Sequence, residues 1–233
     1  MKHAIRRTVL FETEGVQNLG RTVRLVCRAA AEYRVQKVLV FTSHGDGALE
    51  LRKKLGNDTA IIAVTFPWQM TAKPAKDIVY IGLPSAERRA DLAASGIRVV
   101  QGAMPFRALG AEEADIFRGI ISAFDVFGGS TKLCVQAALM ACDAGLLDAG
   151  DRCITMTNDT AVVLRAGHSF NFLRNTSTFA IEQFICKPQF YQITRGSREL
   201  AIARQFQGIT IEPDSPAPAL PSSKESQEPP TEN

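Results

Sequence analysis

The sequence predicts an α/β fold: a three-layer α/β/α sandwich on a mostly parallel sheet, with an antiparallel hairpin near one edge. Three observations predict it. Short apolar segments alternate with longer segments of helical periodicity. The short segments are almost continuously apolar, as strands covered on both faces are. Two late segments are joined only by Thr157, Asn158, Asp159 and Thr160, a connection short enough for a hairpin.

Val16, Leu19, Val23, Val26 and Ala30 recur at spacings of three and four, which predicts a helix over 19–33 with Asn18 as its N-cap. Lys-Val-Leu-Val-Phe at 37–41 predicts a buried strand, followed by a turn at 42–47 and a short helix at 48–55. Residues 59–65 predict a second strand, and 66–76 a proline-containing loop. Pro84 suits the first turn of a helix that stops before Gly96, and 97–101 is a third strand. A helix over 112–127 is expected to bury Ile116, Ile120, Ile121, Phe124 and Phe127. Gly128-Gly129 breaks it, and Ser130 or Thr131 opens an alanine-rich helix through Leu147. Strands at 152–156 and 161–165 flank the hairpin turn, 180–186 is a further strand, and 197–205 a terminal helix.

The chain has 233 residues, and its hydrophobic fraction of 45% allows a substantial core. The expected division is one domain over 1–211 and a Pro/Ser/Glu-rich tail over 212–233, too poor in large apolar residues to fold. A net charge of +3, spread along the chain, is no nucleic-acid footprint. No apolar run reaches the roughly 20 residues that cross a bilayer, and the apolar run at 8–11 is too short for a signal peptide. The five cysteines are odd in number, form no CxxC pair and mostly lie in apolar stretches, so free thiols in the cytoplasm are expected. Three histidines without ligand spacing give no reason to expect a metal.

Ligands of open α/β sheets bind at the carboxyl ends of the strands, which singles out particular loops. In Thr42-Ser43-His44-Gly45-Asp46-Gly47, two hydroxyls can donate to phosphate oxygens. Gly45 and Gly47 let the backbone approach, and the following helix offers free N–H groups. Asp46 counts against phosphate there, and the plainer alternative is a glycine turn. Gly128-Gly129-Ser130-Thr131-Lys132 resembles part of a phosphate loop but lacks its spacing, so a helix–helix corner is the preferred reading. The residues of Gly167-His168-Ser169-Phe170-Asn171-Phe172 could contact a ring, or form a polar loop pinned by two phenylalanines. His44, His168, Ser43 and Asp46 have no spacing that supports a catalytic set, and Cys134 and Cys142 read as core.

Seven stretches occur in an order that is informative together. They are Phe11-Glu12 with Gly15 and Asn18; residues 38–47; Phe127-Gly128 with Lys132-Leu133-Cys134-Val135; residues 140–146; Asp159-Thr160-Ala161; His168-Ser169 with Asn171-Phe172; and Ile185-Cys186-Lys187-Pro188. Over roughly 11–188 the chain resembles stand-alone proteins related to the C-terminal α/β domain of pyruvate kinase. In pyruvate kinase that domain is regulatory. It binds a sugar bisphosphate through a Thr/Ser/Gly turn, matched here by 42–47, and through a loop between two late strands, matched by 157–160. The resemblance implies a phosphorylated ligand, with flavin mononucleotide the leading candidate, and a homo-oligomer, since such domains lie at subunit contacts. It points to Asn18, Thr42, Ser43, His44, Gly45, Gly47, Thr65, Thr157, Asn158, His168, Ser169 and Asn171 as ligand-binding residues.

The chain departs from the family before Asp159: a longer glycine-rich loop is cut to Thr157-Asn158. The family's second glycine, beside Gly128, is also displaced: this chain has Gly129-Ser130. The expected function is non-catalytic or regulatory binding of a phosphorylated small molecule. The alternatives are a flavin-dependent oxidoreductase and a ligand-free oligomeric interaction module.

Overall fold

The computed structural model describes residues 6–68, 70–72, 79–80, 85–106, 111–174 and 178–189. The expected terminal helix at 197–205, the tail at 212–233 and Pro84 lie outside them. In chain order the elements are β1 (Val9–Phe11), a 3-10 turn (Val16–Asn18), α1 (Leu19–Tyr33), β2 (Lys37–Phe41) and α2 (Asp46–Arg52). Then come β3 (Ala60–Thr65), β4 (Thr71–Ala72), β5 (Val79–Tyr80), α3 (Ala86–Ala94) and β6 (Arg98–Gln101). The last are α4 (Ala111–Phe127), α5 (Thr131–Asp143), β7 (Arg152–Met156), β8 (Ala161–Arg165), a second 3-10 turn (Ser169–Asn171) and β9 (Ala180–Pro188).

Seven strands form one sheet in the order β1-β9-β8-β7-β2-β3-β6, while β4 and β5 pair separately. β2 is parallel to both β3 and β7, and β3 is parallel to β6. β8 is antiparallel to both neighbours, β7 and β9. The hairpin therefore does not end the sheet: β9 and β1 continue it past β8, and β1 pairs parallel with β9.

Strand side chains alternate between two cores, as a period of two requires. Val38, Val40, Ile61, Ala63, Ile154, Met156 and Val163 pack with Val23 and Val26 of α1, Leu51 of α2 and Leu92 of α3. Leu39, Phe41, Ile62, Val64, Cys153, Val162 and Leu164 pack instead on Cys134, Ala137, Ala138 and Ala141 of α5. This is the three-layer sandwich. α5 is buried on nearly its whole circumference because α4 covers its outer side: Val135 and Leu139 meet Phe117, Ile120, Ile121 and Phe124.

Three local expectations need correction. Asn18 does not cap α1. The 3-10 turn precedes the helix without a break, and the Asn18 amide donates to the Thr13 carbonyl (2.7 Å), closing the loop over 13–18. α2 starts two residues before Ala48, because Gly45 takes a left-handed φ of 87° and its carbonyl accepts from both Ala48 and Leu49. Ile116 and Phe127 are exposed, not buried. The apolar stripe of α4 is 117-120-121-124, and both residues sit about a quarter turn round the helix from its centre.

Burial pushes up the thiols of Cys153 and Cys186, each to about 12, and Cys142, to about 11, so all three remain protonated. Among the described residues no helix is long and apolar enough to cross a membrane, and no three His, Cys, Asp or Glu side chains gather as metal ligands would.

Candidate functional site

β2, β3 and β7 run the same way, so Phe41, Thr65 and Met156 end at one side of the sheet. A cavity of about 340 Å³ opens there, within the usual range for small-molecule sites. The loop after β2 contributes Thr42, Ser43 and His44, and the first turn of α2 adds Asp46 and Gly47. The hairpin tip contributes Thr157, Asn158 and Asp159. The approach to α1 supplies Val16 and Leu19, and the start of α5 supplies Ser130 and Leu133. Phe41 and Phe66, packed edge to face with ring centres 4.8 Å apart, complete an apolar side.

Each contributing loop has a local reason for its shape. The Thr42 hydroxyl accepts from the Gly45 amide (2.9 Å), which folds 42–45 into a tight turn. At Gly47 a Cβ would lie 3.2 Å from Val40 Cγ1, so glycine lets α2 settle close to the strand. The Thr157 amide donates to the Thr160 carbonyl (2.8 Å) and closes the hairpin. The Thr131 hydroxyl donates to the Gly128 carbonyl (2.6 Å) at the corner between α4 and α5.

Among the described residues no Lys or Arg lines the cavity. Its carboxylates are partly answered from outside it. Asp46 pairs with Arg88 of α3 at 3.1 Å. Asp159 is 4% exposed. Burial raises its pKa, against hydrogen bonds from the Gly15 amide and the Thr160 hydroxyl that lower it. Lys132 turns away to Asp125 (2.8 Å).

No family model matches this chain. The solved structures similar to it include three of Cryptosporidium parvum pyruvate kinase. A crystal structure of that enzyme shares 18% identity over 66% of this chain and 23% of its own, with a TM-score of 0.35. A second shares 17% over 64% and 23%, with a TM-score of 0.36. A third, in complex with ADP, shares 14% over 64% and 24%, with a TM-score of 0.33. The chain resembles one part of a pyruvate kinase. It spans about a quarter of the enzyme's length, and a likeness this low carries no argument about this chain's activity or fold.

Of the residues expected at the site, Thr42, Ser43, His44, Gly47, Thr157 and Asn158 line the cavity. Asn18 and Gly45 lie just behind it, shaping the loops. His168, Ser169 and Asn171 are elsewhere. β8 runs against its neighbours, so the chain leaving it emerges at the opposite end of the sheet. There His168 Nδ1 lies 3.3 Å from Asp143 Oδ1, and the Ser169 amide donates to the same oxygen (3.0 Å). Asp143 ends α5, roughly 18 Å along the helix axis from the end that meets the cavity.

Thr65 lies at the right end of β3 but does not line the cavity. It is 1% exposed, and its hydroxyl has no hydrogen-bond partner among the described residues. An unsatisfied buried hydroxyl is costly, so Thr65→Val is expected to raise stability by about 0.5–1 kcal/mol. A loss of stability in urea titration would show that the hydroxyl has a partner.

Asp46, Asp159, Ser130, Val16, Leu19, Phe41, Phe66 and Leu133 also line the cavity and are not among the residues expected to bind a ligand. Ser130 had a signal, the hydroxyl at a helix start. The apolar residues had none, because periodicity assigns them equally well to core.

Proposed function

We propose that this protein binds a phosphorylated small molecule, flavin mononucleotide first among candidates, in the cavity at the carboxyl ends of β2, β3 and β7. The observation that carries this reading is the meeting of three helix starts, those of α1, α2 and α5, around one cavity. Each start turns the positive end of a helix dipole toward it, and α2 adds unspent amide donors. In α2 the first amides with a helical acceptor are those of Ala48 and Leu49. Together with the hydroxyls of Thr42, Ser43 and Thr157, these donors can hold a phosphate without a cationic side chain. The apolar side made by Phe41, Phe66 and Leu133 suits an aromatic ring carried by the same molecule.

Two measurements test it. The purified protein is examined for flavin absorbance, and thermal unfolding is followed with and without added flavin mononucleotide. A ligand at 100 times its Kd stabilises the native state by about 2.7 kcal/mol, a clear shift in Tm. Ser43→Asp, which puts a carboxylate where the phosphate would sit, is expected to lower the affinity roughly 100-fold or more while the fold persists. A colourless protein that gains no stability from flavin mononucleotide or sugar phosphates ends the proposal. So does a folded Ser43→Asp variant with undiminished affinity.

A further inference from the structure

Asp159 is the only buried carboxylate among the described residues, and its hydrogen bonds join the hairpin tip directly to the loop over 12–18 and, through Thr160, to the start of α5. One oxygen accepts the Gly15 amide (2.8 Å), 144 positions away in sequence. The other accepts the Thr160 hydroxyl (2.9 Å), with the Thr157 hydroxyl 3.4 Å away. Thr160 relays the connection, because its Oγ1 accepts the Ser130 amide (3.1 Å) at the start of α5. A second tie runs parallel: the Thr22 hydroxyl of α1 donates to the Asn158 carbonyl (3.0 Å).

Gly15 sits at φ 124°, ψ −178°, a conformation essentially reserved for glycine. That conformation is held at the loop that brings Val16 and then Leu19 to the cavity. A hydrogen bond to a charged acceptor is stronger than one between neutral groups. We propose that Asp159 is a positioning residue: it latches the loop over 12–18 to the hairpin tip and to α5, so that the Val16–Leu19 wall stands in register with the polar wall. This inference deepens the ligand-binding reading and rests on it for its functional consequence. The latch itself is a property of the unliganded chain.

The test is hydrogen exchange on the full chain, with flavin mononucleotide as the binding probe. In the wild-type protein the Gly15 amide should be protected relative to those of Thr13 and Glu14. In Asp159→Ala, exchange over 12–18 should accelerate roughly tenfold or more, while β2 and β3 keep their protection. Asp159→Asn, which keeps one acceptor for Gly15, should fall between. If the wild-type protein binds flavin mononucleotide, Asp159→Ala should weaken that binding roughly tenfold or more.

An unprotected Gly15 amide in the wild-type protein overturns the latch, and that result stands even if Asp159→Ala does not fold. A loosened loop with unchanged affinity overturns the positioning role and leaves the ligand site intact. Wild-type protein that fails to bind flavin mononucleotide counts against the ligand reading, and the exchange data then decide the latch separately.

Discussion

Gly129→Ala is expected to destabilise the protein by about 2–4 kcal/mol, well beyond the usual cost of a glycine substitution. Gly129 adopts φ +56°, a left-handed conformation that costs a non-glycine residue roughly 1–2 kcal/mol. A Cβ there would also lie 2.5 Å from Thr160 Oγ1 and 2.9 Å from Pro188 Cδ. Thr160 cannot swing aside freely, because its hydroxyl is engaged by Asp159 and by the Ser130 amide. Gly145→Ala is the control. Its φ of +69° carries a similar backbone cost, but nothing lies within 4 Å of the added methyl. Urea titration of both variants separates conformational strain from crowding. Equal losses would mean that the Thr160 contact relaxes without cost. A larger loss at Gly129 would show why the chain tolerates Gly129-Ser130 there: the hairpin tip comes so close that only hydrogen fits.

The fold was legible because its strands are short, apolar and bounded by turn residues. The strands at 37–41, 152–156 and 161–165 have the bounds read from sequence, and α1 follows the spacing of Val23, Val26 and Ala30. The α4 stripe is not fixed by the sequence, because an apolar run such as Ile116-Phe117 does not say which member faces inward. The answer depended on where α5 lies. The polar half of the cavity was partly legible, since a hydroxyl-glycine turn after a buried strand has a recognisable chemistry. The placement of His168, Ser169 and Asn171 failed for a reason the sequence did contain. An antiparallel strand after a hairpin carries its successor loop back to the far end of the sheet. In sequence Asp159 is a turn residue and no more, because a carboxylate at a hairpin tip looks the same whether it faces water or an amide 144 residues away.

Leu39→Ala is expected to cost about 3–5 kcal/mol, the upper part of the range for buried leucines. Leu39 is fully buried in β2, which lies between β7 and β3 in the middle of the sheet. Its side chain packs in the core that includes Cys134, Ala137, Ala138 and Ala141 of α5. Those side chains are too short to reach into the space left behind, and β2 is held on both edges by parallel ladders. The void can therefore close only if α5 moves toward the sheet. Leu10→Ala in the edge strand β1, where the side chain is 51% exposed, should cost about 1 kcal/mol or less and serves as the comparison. Equal urea midpoints for the two variants would contradict this packing. If α5 does move, Ser130 and Leu133 at its start move with it, since they are carried by the same rigid helix. The Leu39→Ala variant should then also bind flavin mononucleotide more weakly than its stability alone explains, measured below its unfolding range. Unchanged affinity would instead mean that α5 stays in place over an empty core, with the whole cost borne by the cavity.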